Sequence, residues 1–158
     1  MAIVLALLLV LLALMVLGWR ARRNRQRAVA SPLTVPESVG EVVFTGLGRY
    51  VATTVAGDPL DRVAVRGLGF RGSVTLTVTT LGIIVALVGR DEFWIPASEI
   101  RDQRRATWTI DRVVETDGLQ LIQWNLGGQI VDSYFRFDSP TALEHAVEQL
   151  VDQEGAAS

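Results

Sequence analysis

The chain contains no cysteine and no lysine, and a single histidine, His145. Without cysteine there can be no disulfide and no thiolate metal site. His145 stands one step off an apolar helical stripe and reads as a rim residue, so no Ser-His-acid set is argued from it. The paired acids Asp58 with Asp61 and Asp91 with Glu92 lie in turn-like sequence and read as solvated turn residues. No P-loop pattern occurs. The one glycine-rich match, "GLGFRG" at 67–72, runs into "SVTLTVTT". A dinucleotide site needs a helix there, because the helix N-terminus holds the pyrophosphate. These glycines read instead as a bend between strands. No catalytic, cofactor-binding or metal-binding residue is assigned, and the chain is read as a non-enzyme. All fifteen cationic side chains are arginine, a usage that suits a GC-rich genome.

The net charge of −2 hides an asymmetry. Arg20, Arg22, Arg23, Arg25 and Arg27 crowd eight positions, while all seventeen acids lie at or after Glu37. Beyond Ala30 the balance is 10 − 17 = −7. A basic collar therefore precedes an acidic domain.

Ahead of the collar, residues 2–19, "AIVLALLLVLLALMVLGW", carry no charge. Eighteen residues of helix reach about 27 Å, close to a hydrocarbon core of about 30 Å. A cleaved signal peptide should carry positive charge before the apolar run, and here the arginines follow it. A buried soluble helix should show a polar face, and this one has none. The expectation is a transmembrane helix over 1–19, with the lipid bilayer as partner of residues 2–19. Trp19, Arg20, Arg22, Arg23, Arg25 and Arg27 would form the membrane interface. The positive-inside rule places the N-terminus outside and residues 20–158 in the cytoplasm, as a single-pass protein of the cell membrane. Near an anionic leaflet the collar contributes at most about 5 kcal/mol.

Residues 20–40 read as a basic juxtamembrane segment and linker, 41–152 as a folded domain, and 153–158 as a tail. In the domain, "SVTLTVT" alternates strictly, with Val74, Leu76 and Val78 on one face. "IIVALV" (83–88) reads as its partner strand and "EFWIP" (92–96) as a short third. "LQLIQW" (119–124) and "QIVDSYFRF" (129–137) flank a hairpin-like turn, and Asp117-Gly118 marks another. "VVFTG", "RYVATTV" and "DRVAV" are shorter candidates upstream. The uncharged stretch 72–89 is read as two strands rather than a second span, because threonines fill one face and "TTLG" breaks it. Leu143, Ala146, Val147, Leu150 and Val151 trace the stripe of a closing helix. Its start is open between Ser139 capping Pro140 and a Thr141–Glu144 box.

The run "TVTTLGIIVALVGRDEFWIPASEIRDQ", two hairpins and a closing helix together resemble bacterial PH-like domains. The packing motif is Gly82, the strand "IIVALV", and Ile95-Pro96-Ala97 leading to Ile100. Upstream, "YVATTVAGDPLDRVAVRGLGFRG" is similar to actinobacterial single-span proteins bearing such a domain. The likeness covers residues 50–150 and the anchor. It implies a mainly-β PH-like barrel of antiparallel strands closed by one C-terminal α-helix, and no defined activity.

Phosphoinositide binding is the analogy such a fold invites, but it needs basic side chains clustered on one loop, and the domain stands at −7. Nucleic acid is excluded on the same ground. Arg101, Arg104 and Arg105 in "EIRDQRRAT" form the only local cluster in sequence. With Trp108 they are the candidate partner contact, since Arg and Trp are favoured at interfaces. Trp94, Trp124, Phe135 and Phe137 read as core. The functional expectation is a membrane-anchored interaction or scaffold module with a protein partner at the inner membrane face. The alternative is a lipid- or small-ligand-sensing PH-like domain.

Overall fold

The computed structural model describes residues 2–27, 29–64, 67–106, 108–109, 112–113, 118–138 and 140–157. At 2–3, 5–6, 19–27, 108–109, 112–113 and 153–157 only the backbone is described. Helix α1 spans Ala2–Arg27. Strands follow as β1 (Val42–Val55), β2 (Asp58–Arg62), β3 (Gly72–Thr79), β4 (Gly82–Leu87), β5 (Phe93–Pro96) and β6 (Ile100–Ala106). A 3₁₀ turn, Ala97–Glu99, joins β5 to β6. The short β7 (Trp108–Thr109) and β8 (Arg112–Val113) pair with each other. Then come β9 (Leu119–Leu126), β10 (Gln129–Phe137) and α2 (Pro140–Ala157).

The main sheet is antiparallel throughout and runs β5-β4-β3-β1-β10-β9-β6, with β2 also on β1. The two separate strands expected at 42–46 and 49–55 are one long strand. Its first half pairs with β3 and its second with β10, overlapping at Gly48–Tyr50. That overlap requires glycine on the inner face: a Cβ on Gly48 would lie 2.6 Å from the Phe137 ring and 2.7 Å from the Arg136 carbonyl oxygen. The uncharged stretch 72–89 forms the β3–β4 hairpin, with Val74 opposite Leu87 and Thr79 opposite Gly82. At Gly82 a side chain would strike the Ile95 carbonyl and the Trp94 ring, so the expected glycine lets β4 and β5 close up.

The sheet curls until its two ends meet. Phe93 on β5 stacks against Trp124 on β9, with ring centroids 6.2 Å apart. The ends themselves are joined by the 3₁₀ turn rather than by a ladder, so the expected barrel is open between β5 and β6. Alternation decides what fills it: Val74, Leu76, Val78, Ile83, Val85, Ile122, Val131 and Phe135 are all buried. Helix α2 lays Leu143, Ala146, Val147 and Leu150 over the opening and packs on β1, β3, β6 and the 3₁₀ turn. Each large apolar side chain so covered contributes about 1.5–3 kcal/mol. The helix continues past the tail expected from residue 153. Ser139 and Asp117, invoked for a cap and a turn, lie outside the described residues.

The stretch expected to be a linker lies along the domain. Val29 is buried in the core, and Ala30 packs beside it next to Gly127. Leu33 forms a bridge to Trp94, whose amide donates to the Leu33 carbonyl at 2.8 Å, so this segment shields the β5 edge. Glu41 and Thr80 exchange a backbone bond of 2.9 Å and a side-chain bond of 3.1 Å. Helix α1 also continues through the basic collar. In α1 the described side chains are Val4 and residues 7–18. Among the described residues no helix is long and apolar enough to cross a membrane.

One polar chain crosses the apolar interior. The Trp124 indole N–H donates to Ser133 Oγ at 2.9 Å. Ser133 meets Thr53 Oγ1 at 2.7 Å, and Thr53 meets the Tyr50 phenol at 2.6 Å. The phenol is 3.0 Å from the Leu68 carbonyl. A carbonyl only accepts and an indole only donates, so every hydroxyl between them must point the same way. Trp124 gives to Ser133, Ser133 to Thr53, Thr53 to Tyr50, and Tyr50 to Leu68. Burial pushes the Tyr50 phenol far above its ordinary range, against smaller opposing pulls from Thr53 and Arg62, and keeps it a neutral donor. Ser133→Ala orphans the indole and interrupts this chain at its centre. The expected cost is about 1–3 kcal/mol in urea unfolding followed by tryptophan fluorescence. Thr45→Val, at an exposed 3.5 Å contact with Thr77, is expected to change stability by less than about 0.5 kcal/mol.

Candidate functional site

The expected contact strip is a terminal strand of the sheet. Among the described strands, β6 is hydrogen-bonded to β9 alone. A register shift between Ile100 and Asp102 leaves Arg101 without a ladder partner. Charged residues on such an edge discourage pairing with another sheet. Arg101 is exposed, and no hydrogen bond or ion pair engages it among the described residues. Arg104 is half exposed and reaches back along the strand to Asp102 at 2.7 Å.

Arg105 does something else. Its Nε and Nη2 grip the Glu144 carboxylate of α2 at 2.5 and 2.9 Å. This fork clamps the closing helix onto β6, so Arg105 is a structural latch. Gln103, on the same side of the strand, donates to the buried Gln120 at 3.1 Å. The sequence cluster therefore divides into one latch, one arginine paired within its own strand, and one exposed cation. Trp108 lies on β7, and its side chain is outside the described ones. So are those of Trp19, Arg20, Arg22, Arg23, Arg25 and Arg27, whose backbone belongs to α1.

The loop carrying "GLGFRG" is pinned from several sides. Leu68 is fully buried and accepts from Tyr50, and the Gly69 carbonyl accepts from Arg62 at 3.1 Å. Arg62 and Arg71 also share the Val51 carbonyl, at the bulge where β1 shifts register against β10. Phe70 is 50% exposed beneath the Arg90 guanidinium, 3.6 Å from the ring centre. A strand follows this loop, so no helix end is present to hold a pyrophosphate. Asp58 and Asp61, expected in a loop, lie in β2, where the Asp58 carboxylate at the strand's start accepts from the amides of Leu60 and Asp61. His145 is exposed, with Nδ1 3.7 Å from Glu148. Among the described residues no group of three or more acids or histidines is placed to hold a metal ion. Trp94, Trp124, Phe135 and Phe137 are buried, as expected.

The structure adds a pair that the sequence did not bring together. Arg49 on β1 is directly opposite Arg136 on β10. Both are exposed, on the outer face of the sheet. With Leu47, Gly48 and Asp138 they line a cleft of about 450 Å³. The available signal was alternation alone: Arg49 precedes the inward Tyr50, and Arg136 sits between two inward phenylalanines. The 86 residues separating the two arginines hid their pairing, which only register reveals (136 − 49 = 87 positions apart).

The family model described as "Bacterial PH domain-like" matches residues 29–151. A comparison with curated proteins finds no match. The matched region begins at the residue where the chain enters the core, Val29.

The latch sets a pH dependence. The Arg105 hydrogen bond lowers the Glu144 carboxyl below its ordinary value of 4.5, against partial desolvation. A lowered folded value means the stabilisation is complete above the unfolded value and is lost as pH falls through the folded one. Glu144→Gln should cost no more than about 1 kcal/mol at pH 7, since Arg105 is well exposed. In thermal melts the variant and parent should converge as pH drops from 5 toward 3.

Proposed function

The chain belongs to the bacterial PH domain-like family over residues 29–151, and from that premise we propose a non-enzymatic interaction module held at the inner face of the cell membrane. PH-like domains are generally non-catalytic. The anchor in this reading is residues 2–19, in a single-pass, actinobacterial-type arrangement with the N-terminus outside. The observation that carries it is the bare apolar surface of α1. Leu7, Leu9, Leu12, Met15 and Leu17 are each more than half exposed, and at about 100° per residue they fall on every side of the helix. Left in water, the ten such side chains described in α1 forgo on the order of 20 kcal/mol of burial. A bilayer supplies the missing cover, and the arginine collar stops the helix at the inner interface.

Anchoring confines the domain to two dimensions and raises its effective concentration near membrane partners. The proposed docking strip is the outer side of β6, with Arg101 as its available cation, Arg104 paired to Asp102 beside it, and Trp108 at its end. Arg105 drops out, because Glu144 occupies it. The partner is a protein at the inner membrane face.

A second reading, lipid or small-ligand sensing by the domain itself, has one observation in its favour. Leu60 on β2 and the loop residues Phe70 and Val88 are exposed, with Arg90 over Phe70. Co-sedimentation of residues 29–158 with liposomes at physiological salt would favour it.

Two measurements check the favoured reading. The full chain is expected to stay in the membrane fraction after an alkaline carbonate wash, and deletion of residues 2–19 is expected to release it. A reporter fused after Ser158 should be active only in the cytoplasm. Replacing the five collar arginines with glutamate should reduce that signal several-fold. Release of the parent chain by carbonate would end the proposal.

A further inference from the structure

Among the arginines with described side chains, Arg49, Arg136 and Arg101 have no side-chain partner, and only Arg49 and Arg136 are brought together by the fold. Arg62 and Arg71 are spent on backbone carbonyls, Arg104 on Asp102, Arg105 on Glu144, and Arg90 on the Phe70 ring. Neither the Arg49 nor the Arg136 side chain makes a hydrogen bond or ion pair among the described residues. Yet they face each other across the β1–β10 ladder. Like charges directly opposite on a sheet repel. The arrangement sits on the middle strands of the sheet, where the backbone is hydrogen-bonded on both sides. An anion between them would turn the repulsion into a two-sided clamp.

We infer that Arg49 and Arg136 together bind a carboxylate presented by a protein partner. This deepens the interaction-module reading and rests on it. Three observations select the ligand. Counting Asp138, the cleft carries 2 − 1 = +1, which a single negative charge neutralises. A dianionic phosphate would exceed that and face Asp138. The domain around the cleft is at −7 and repels polyanions while tolerating a monoanion. Leu47 lies two residues from Arg49 on the same face and is 80% exposed. It offers an apolar shelf to whatever carries the carboxylate. Guanidinium groups suit this role because each can engage both carboxylate oxygens.

The test uses the full chain in detergent, with ¹⁵N-labelled arginine and the Nε–Hε resonances as reporters. The probes are N-acetyl-leucinate, its neutral amide, and inorganic phosphate. The expected result is a saturable shift of the Arg49 and Arg136 resonances with N-acetyl-leucinate and none with the amide. Arg49→Gln and Arg136→Gln should each weaken binding about tenfold or more. Arg101→Gln removes an exposed, equally unpartnered arginine elsewhere and should change nothing. Both cleft variants should melt no lower than the parent at low salt, since each removes a repulsion. The inference is overturned by no saturable shift at millimolar N-acetyl-leucinate, by tighter binding of phosphate, or by an equal loss in Arg101→Gln. None of these outcomes touches the carbonate and reporter results, so failure here is distinguishable from failure of the anchor.

Discussion

Strand β1 is hydrogen-bonded along both edges, and the rest of the domain hangs on that double pairing. Its first half belongs to the β3–β4–β5 wing and its second to the β10–β9–β6 wing. Glycine at 48 lets the wings overlap, because a larger residue would collide with Phe137 and with the backbone of β10. Once the wings share a strand, twist brings their far ends together. The Phe93–Trp124 stack and the stripe of α2 then fill the space between them. The Arg105–Glu144 fork holds the helix in place at β6, which among the described strands pairs with β9 alone.

The interior polar chain does a different job from the apolar core. Apolar packing is tolerant of small displacements, whereas a line of single-donor hydroxyls is satisfied in one arrangement only. Through Tyr50 it fastens the Leu68 carbonyl, and with it the loop that presents Phe70. The same loop is held from outside by Arg62 and Arg71. Most of the arginines described here are thus fold components. That division sets the pair over the β1–β10 ladder and the lone Arg101 on β6 apart from the rest, and only register brings the pair together, which is why counting cations along the sequence pointed to β6 instead.

Much of the architecture was legible from period alone. The strict alternation of 74–79, the apolar run behind Gly82 and the 3.6-residue stripe of 143–151 each state a local structure with one buried side. The resemblance at "TLGIIVALV" and Ile95-Pro96-Ala97 reached the family, because those residues answer to packing that recurs wherever the fold does. The upstream strands were less legible. "VVFTG" and "RYVATTV" read as two because Gly46 and Gly48 interrupt the pattern, and a glycine serving close approach looks the same in sequence as one serving a turn.

By itself the sequence determined the composition of each face, the acidic domain behind a basic collar, and an uncharged N-terminal helix. These are properties of neighbours in the chain, and short-range physics suffices for them. Only the tertiary structure decided that residues 29–41 line the domain, that Arg105 is consumed by Glu144, and that Arg49 meets Arg136. Each of those facts joins residues far apart in sequence, and a contact of that kind exists only after register and curvature have chosen which side chains share a space.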